Sequence, residues 1–196
     1  MSSKPVLSEE DKVDIREKLQ EYCELFWTKN GYKKTSVKEL CSATGISIGT
    51  FYTLYPTKED LFFETVKAIQ DKLKNRVSDI NRNNPGREGF ALSIKELFRE
   101  YSNKPFLYNV GTPDFQSFAS KLPNEEMEEI KFDSIDFFRK AISESGLELK
   151  INELEAYVIL SALLSTITAK DNLSTIYDYA TAFDFMVDNL MPHIFY

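Results

Sequence analysis

The chain has 196 residues, 42% hydrophobic and 28% charged, which is enough for one or two domains and excludes a wholly disordered chain. Its net charge of −7 excludes indiscriminate coating of nucleic acid but leaves room for a local basic patch. The longest apolar stretch, Ala156 to Ala169, has 14 residues and four serines or threonines, too short and too polar for a membrane span, and the two cysteines suggest no disulfide framework.

Apolar residues recur with a period near 3.6 along the whole chain, so an all-α protein is expected. The N-terminus carries no apolar signal-peptide core. Ser8 to Asp11 opens a first helix with Ile15, Leu19, Tyr22, Cys23 and Phe26 at spacings of three and four, closing at Asn30-Gly31. Ser36-x-x-Glu39 opens a short second helix that Thr44-Gly45 ends. Ser47 caps a third, running to about Leu54, because the residue before Pro56 disfavours the helical region. Thr57-x-x-Asp60 starts a fourth, longer helix with a stripe from Leu61 to Ile80. Asn83 to Gly86 is a turn, and a fifth helix follows with Phe90, Ile94, Leu97, Phe98 and Tyr101. Residues 103–123 are broken by three prolines and Gly111. One helix is expected from Asn124 to Gly146, another from Asn152 through Ala169, and a last from about Ser174 to Met191, where Pro192 ends it.

Residues 36–54 fit a helix-turn-helix. Cys41 is small at the crossing point, Gly45 tolerates positive φ in the turn, and Leu40, Ile46, Phe51 and Leu54 are spaced to tie both helices to a third. The short residues Ser47, Ile48, Gly49 and Thr50 let the second helix approach a groove closely. Between Thr28 and Lys58 lie five lysines and one acid, a net +4, while the other 165 residues carry −11. The strongly basic stretch therefore coincides with the motif.

The run from Thr35 to Leu40, Thr44 to Tyr52 and Tyr55 to Leu61, with Phe26 to Gly31 before it, resembles the N-terminal domain of the TetR family of bacterial transcriptional regulators. Roughly residues 12–65 carry the resemblance. Cys41 stands where alanine is usual, and Ile48 where Lys, Pro or Arg is common. The resemblance implies a DNA-binding domain over residues 1–57 and a helical ligand-binding and dimerisation domain over residues 58–196. It implies phosphate contacts from Thr35, Ser36, Tyr52 and Lys58, consistent with helix N-termini as anion sites. Base reading falls to Ser47, Ile48, Thr50 and Thr53, with Gly49 at the contact surface and Ile48 offering apolar contact to a thymine methyl.

No phosphate-loop or dinucleotide signature occurs, and the single histidine, His193, has no metal-ligand set around it, so no enzyme, cofactor or metal is expected. Tyr101, Phe106, Tyr108, Phe115, Phe118 and Phe137 are candidate ligand-pocket residues, with Asn109 and Gln116 as polar anchors. The stretch Ala156 to Leu164 is apolar nearly all round, which predicts a homodimer through residues 152–191 around Leu160, Leu163, Leu164, Phe183 and Val187. The function implied is a cytoplasmic repressor, released from a double-stranded inverted-repeat operator by a small apolar effector. The alternative keeps the DNA and gives the C-terminal domain a protein partner.

Overall fold

The computed structural model describes residues 7–108, 110–130 and 134–196, and these form helices, with one isolated bridge between Leu149 and Phe195 and no strand. Helix α1 is Glu9–Asn30, α2 Val37–Thr44, α3 Ile48–Leu54, α4 Lys58–Asn83 and α5 Arg87–Asn103. After a 3-10 turn at Pro105–Leu107 come α6 Pro113–Ala119, α7 Asn124–Ile130, α8 Ser134–Ser145 and α9 Glu153–Ser165. A second 3-10 turn at Thr166–Ala169 leads to α10 Lys170–Leu173 and α11 Tyr179–Ile194. Among the described residues no helix is long and apolar enough to cross a membrane.

The expected boundaries of α1 to α4 hold because the caps are local. Ser8 and Ser36 each form a capping box, with Asp11 and Glu39 returning the bond, and Gly31 and Gly45 close α1 and α2 at φ 83° and 73°. Three boundaries differ. Helix α11 begins at Tyr179 rather than near Ser174, because Asp178 accepts from the amides of Ala180 and Thr181 and is the stronger cap. It also runs through Pro192 to Ile194, since a proline in the last turn removes only one hydrogen bond. The apolar run after Asn152 leaves the α-helix at Ser165 for the 3-10 turn. The helix expected over 124–146 is seen as α7 and α8; residues 131–133 lie outside the described residues.

Helix packing groups the chain into two compact units: Met1–Ile69 with Pro105–Lys131, and Gln70–Lys104 with Phe132–Tyr196. The core of the first is aromatic. Trp27 stacks on Phe106 at 4.3 Å between ring centroids and meets Phe62 at 4.7 Å and Phe118 at 5.0 Å. Such pairs contribute about 0.5–1.5 kcal/mol each beyond the area they bury.

In the second unit Phe98 stacks on Phe183 at 3.8 Å, and Lys95 and Arg99 reach Asp188 and Asp184 of α11. Helices α9 and α11 are antiparallel neighbours. The Tyr179 hydroxyl donates to the Thr166 carbonyl at one end, and the Lys150 amide donates to the Ile194 carbonyl at the other. Leu160, Leu163, Phe183 and Val187, read from the sequence as a dimer seam, are buried within this unit instead. On α9 and α11 the large apolar residues left outward are Leu154, Val158 and Phe185, at 57%, 61% and 69% exposure.

Gly89 carries a constraint that its place in the first turn of α5 does not advertise. A Cβ there would sit 1.6 Å from the backbone oxygen of Asn84. Gly89→Ala should cost about 3 kcal/mol or more in urea melts, the upper range for overpacking. Gly111→Ala, where an added Cβ meets nothing within 4 Å, should change stability by less than about 0.5 kcal/mol.

Candidate nucleic-acid interface

Helices α2 and α3 cross at Cys41, which is buried with its sulfur 3.9 Å from the Ser47 carbonyl oxygen. The turn between them passes through Gly45 in the left-handed region, and the Ile46 amide donates to the Cys41 carbonyl at 3.0 Å. Phe51 and Leu54 point into the core at 0% and 4% exposure. With those two facing inward, helical geometry turns Ile48, Gly49, Tyr52 and Thr53 outward together. Ile48 is 49% and Tyr52 52% exposed, and the face carries no charge. The charge lies beside it, on exposed Lys33, Lys34 and Lys38.

A polar network anchors the far end of α3. Arg16 donates to the Leu54 carbonyl at 2.9 Å and to Glu64 at 3.1 Å, and the buried Tyr55 donates its hydroxyl to Glu64 at 2.9 Å. Burial, followed by the Glu64 hydrogen bond, pushes the Tyr55 hydroxyl well above its usual range, so it stays protonated. Cys23 is buried, burial pushes its thiol up to about 12, and it packs as a small apolar group.

The residues expected at phosphates divide. Ser36 is exposed and caps α2, accepting from the Glu39 amide at 3.2 Å while its hydroxyl bonds the Glu39 carboxylate. Those bonds hold the Glu39 carboxyl below the usual range. Thr35 is 1% exposed, and its hydroxyl donates to the Gly31 carbonyl at 2.9 Å, so its side chain braces the turn from inside. Ser47 caps α3, and its hydroxyl lies 2.9 Å from that of the half-buried Thr50. Lys58 is half-buried. Its ammonium donates to the Tyr32 carbonyl at 2.6 Å and lies 4.0 Å from the centre of the Tyr32 ring. Burial lowers its pKa, and an ammonium with three donors keeps capacity for a further acceptor.

Gly49 is not required by the chain's own packing, since a Cβ there would meet only the Ser47 hydroxyl oxygen at 3.7 Å. Tyr32, Asp114 and Lys121, by contrast, are central here and were not singled out from the sequence. The Tyr32 hydroxyl donates to Glu59 and accepts from Lys121 at 2.8 Å, while Asp114 accepts from the Tyr32 amide at 2.6 Å. Asp114 lies 82 residues from Tyr32, a separation that leaves no periodic signal.

Among the expected pocket residues, Phe106, Phe115 and Phe118 are buried in the first unit against Trp27. Tyr108 is half-buried in the same unit. Tyr101 and Phe137 belong to the second unit, both half-buried. The Gln116 amide donates to the Val110 carbonyl at 2.7 Å, and Asn109 lies outside the described residues. The Trp27 indole Nε1 is buried without a hydrogen-bond partner.

Residues 23–65 match the family model described as bacterial regulatory proteins, tetR family. The N-terminal segment is thus a domain of the TetR type. Solved TetR-type structures share its fold over nearly their whole length. A TetR family transcription regulator from Marinobacter aquaeolei superposes with a TM-score of 0.65 at 16% identity, covering 96% of this chain and 99% of that one. FadR from Bacillus subtilis, solved in complex with stearoyl-CoA, gives 0.60 at 19% identity, covering 89% and 96%. The fatty acid degradation regulator FadR from Bacillus halodurans gives 0.60 at 14% identity, covering 97% and 96%. No curated protein sequence matches the chain. Within the TetR-type domain α3 is the second helix of the helix-turn-helix.

Proposed function

We propose that this TetR-family regulator is a cytoplasmic homodimeric repressor that binds an inverted-repeat operator in double-stranded DNA and is released by an apolar effector. The observation that carries the DNA reading is the uncharged, exposed face of α3 beside exposed lysines. Phosphate contact fixes position, and base edges carry sequence. Ser36, Tyr52 and Lys58 take the phosphates, with Thr35 bracing the turn. Ser47, Ile48, Thr50 and Thr53 face the bases, Ile48 toward a thymine methyl. Gly49 lets the helix come close, since a β-carbon there is excluded by nothing in the chain itself.

Lys58→Ala should weaken binding to all duplexes alike and lower the salt slope by about one unit, whereas Ile48→Ala should change which bases a randomised pool yields. Gly49→Ala should raise thermal stability, by up to about 1 kcal/mol, yet weaken specific binding. An equal salt slope for Lys58→Ala would contradict the phosphate role.

The dimer uses residues 152–191 through their outward face, around Leu154, Val158 and Phe185. Stable homodimer interfaces bury roughly 2,000 Å² or more. Val158→Asp should give a folded monomer in sedimentation, because the side chain is exposed within its own unit, while Leu160→Asp should unfold the chain.

The effector reading rests on the aromatic residues around Trp27 and on its unpartnered indole N–H, which a ligand acceptor would satisfy. Phe106, Tyr108, Phe115 and Phe118, all of the first unit, remain its proposed lining, whereas Tyr101 and Phe137 belong to the second unit. The stearoyl-CoA held by FadR from Bacillus subtilis makes long-chain acyl-CoA the first compound to try. Trp27 is the chain's single tryptophan, so binding should be read directly in its fluorescence, together with release of bound DNA. Trp27→Phe should weaken the effect while preserving the fold. Unchanged fluorescence and DNA binding across acyl-CoA chain lengths would move the assignment to a protein partner.

A further inference from the structure

We propose that Asp114, on α6, is a positioning residue for DNA contact: its carboxylate holds the turn between α1 and α2 in the shape that presents Lys33, Lys34, Ser36 and Lys58 to the phosphates. The inference rests on the DNA-binding reading above. Asp114 Oδ2 accepts from the Tyr32 amide at 2.6 Å and Oδ1 from the Lys33 amide at 3.1 Å. These are the two residues that follow the helix-closing Gly31. A carboxylate at a helix C-terminus faces the negative end of the dipole and is unfavourable there for the helix itself. It is tolerated because two backbone donors bind it and the Lys58 ammonium lies close enough to interact with it electrostatically.

The closeness of approach is built into the backbone. Gly31 has φ 83°, and a Cβ there would stand 2.9 Å from both Asp114 carboxylate oxygens. Gly31 therefore serves twice, as the end of α1 and as the opening through which Asp114 reaches the turn. Tyr32 is consequently held at three points: its amide by Asp114, its carbonyl by Lys58 and its hydroxyl by Lys121 and Glu59. If the amide is released, the carbonyl that orients Lys58 is released with it. The lysines of the turn then meet phosphates from a distribution of positions rather than one.

The test compares the wild-type chain with Asp114→Asn, Asp114→Ala, Gly31→Ala and the double variant Gly31→Ala/Asp114→Ala. The probe is the duplex that the wild-type chain selects from a randomised pool. Binding is measured against salt, well below the melting temperature of each variant. Asp114→Ala should weaken binding about tenfold or more, the size expected for losing hydrogen bonds to a charged group. Its salt slope should fall by about one or two units as phosphate contacts are lost. Asp114→Asn keeps an acceptor for one amide and should fall between, which keeps the test intact if the alanine variant folds poorly. Since Gly31→Ala already expels the carboxylate, the double variant should bind no worse than Gly31→Ala alone. Val66→Ala, a core truncation in the same unit away from the turn, should lower the melting temperature and leave the slope unchanged.

Hydrogen exchange at the Tyr32 and Lys33 amides reads the clamp without DNA and should quicken in Asp114→Ala. Wild-type affinity and slope in Asp114→Ala, or additive losses in the double variant, would overturn the proposal. If the wild-type chain selects no duplex, the DNA reading fails and the positioning role falls with it, while amide exchange still reports whether the clamp exists.

Discussion

Tyr32 is buried at the end of α1 with its amide, its carbonyl and its hydroxyl all engaged, and those bonds join α1, the start of α4 and the segment around α6. Burial of a tyrosine costs little when its hydroxyl is bonded, and here the hydroxyl lies between Glu59 and Lys121. Burial raises the Tyr32 pKa and the Glu59 bond raises it further. Burial opposes the charge on Glu59 as well, but the bonds from Tyr32 and Lys121 win and hold its carboxyl below the usual range. The phenol stays neutral and the carboxylate stays charged near neutral pH, so the two remain donor and acceptor. Without this hub the first turn of α4 and the turn before α2 would have no common reference.

The aromatic core beneath the hub explains why the segment 105–131 belongs with the first unit. Phe106, Phe115 and Phe118 surround Trp27, and Phe118 also meets Tyr32 at 5.6 Å. The same rings that bury α1 therefore position α6, and α6 supplies Asp114. Apolar packing brings the carboxylate near, and the hydrogen bonds fix its orientation.

Along α3 the chemistry is divided by direction. Inward residues Phe51 and Leu54 are wholly apolar, while Arg16 satisfies the last carbonyl of the helix from α1. The outward residues are short or uncharged, which concentrates the positive charge on the neighbouring turn rather than on the helix itself. On the proposed reading, affinity comes from the flanks and selectivity from shape and apolar contact.

The helix-turn-helix was legible because its signals are local. Capping boxes at Ser8 and Ser36, Gly31 and Gly45 at positive φ, and the spacing of Leu40, Phe51 and Leu54 all act within four residues or through a simple period. The apolar helix α9 was legible as an element, but not the direction of its faces. Leu160 and Leu163 are read as apolar in the same way as Leu154 and Val158, and only the packing of the second unit turned the first pair inward and left the second pair outside. Asp114 was likewise unremarkable in sequence, one acid in the first turn of a short helix. Sequence alone determines the starts and stops of α1 to α4 and the outward face of α3, because those depend on neighbours a turn apart. Which carboxylate meets which amide across 82 residues depends on side-chain volumes closing around Trp27, and that is decided only when the tertiary structure forms.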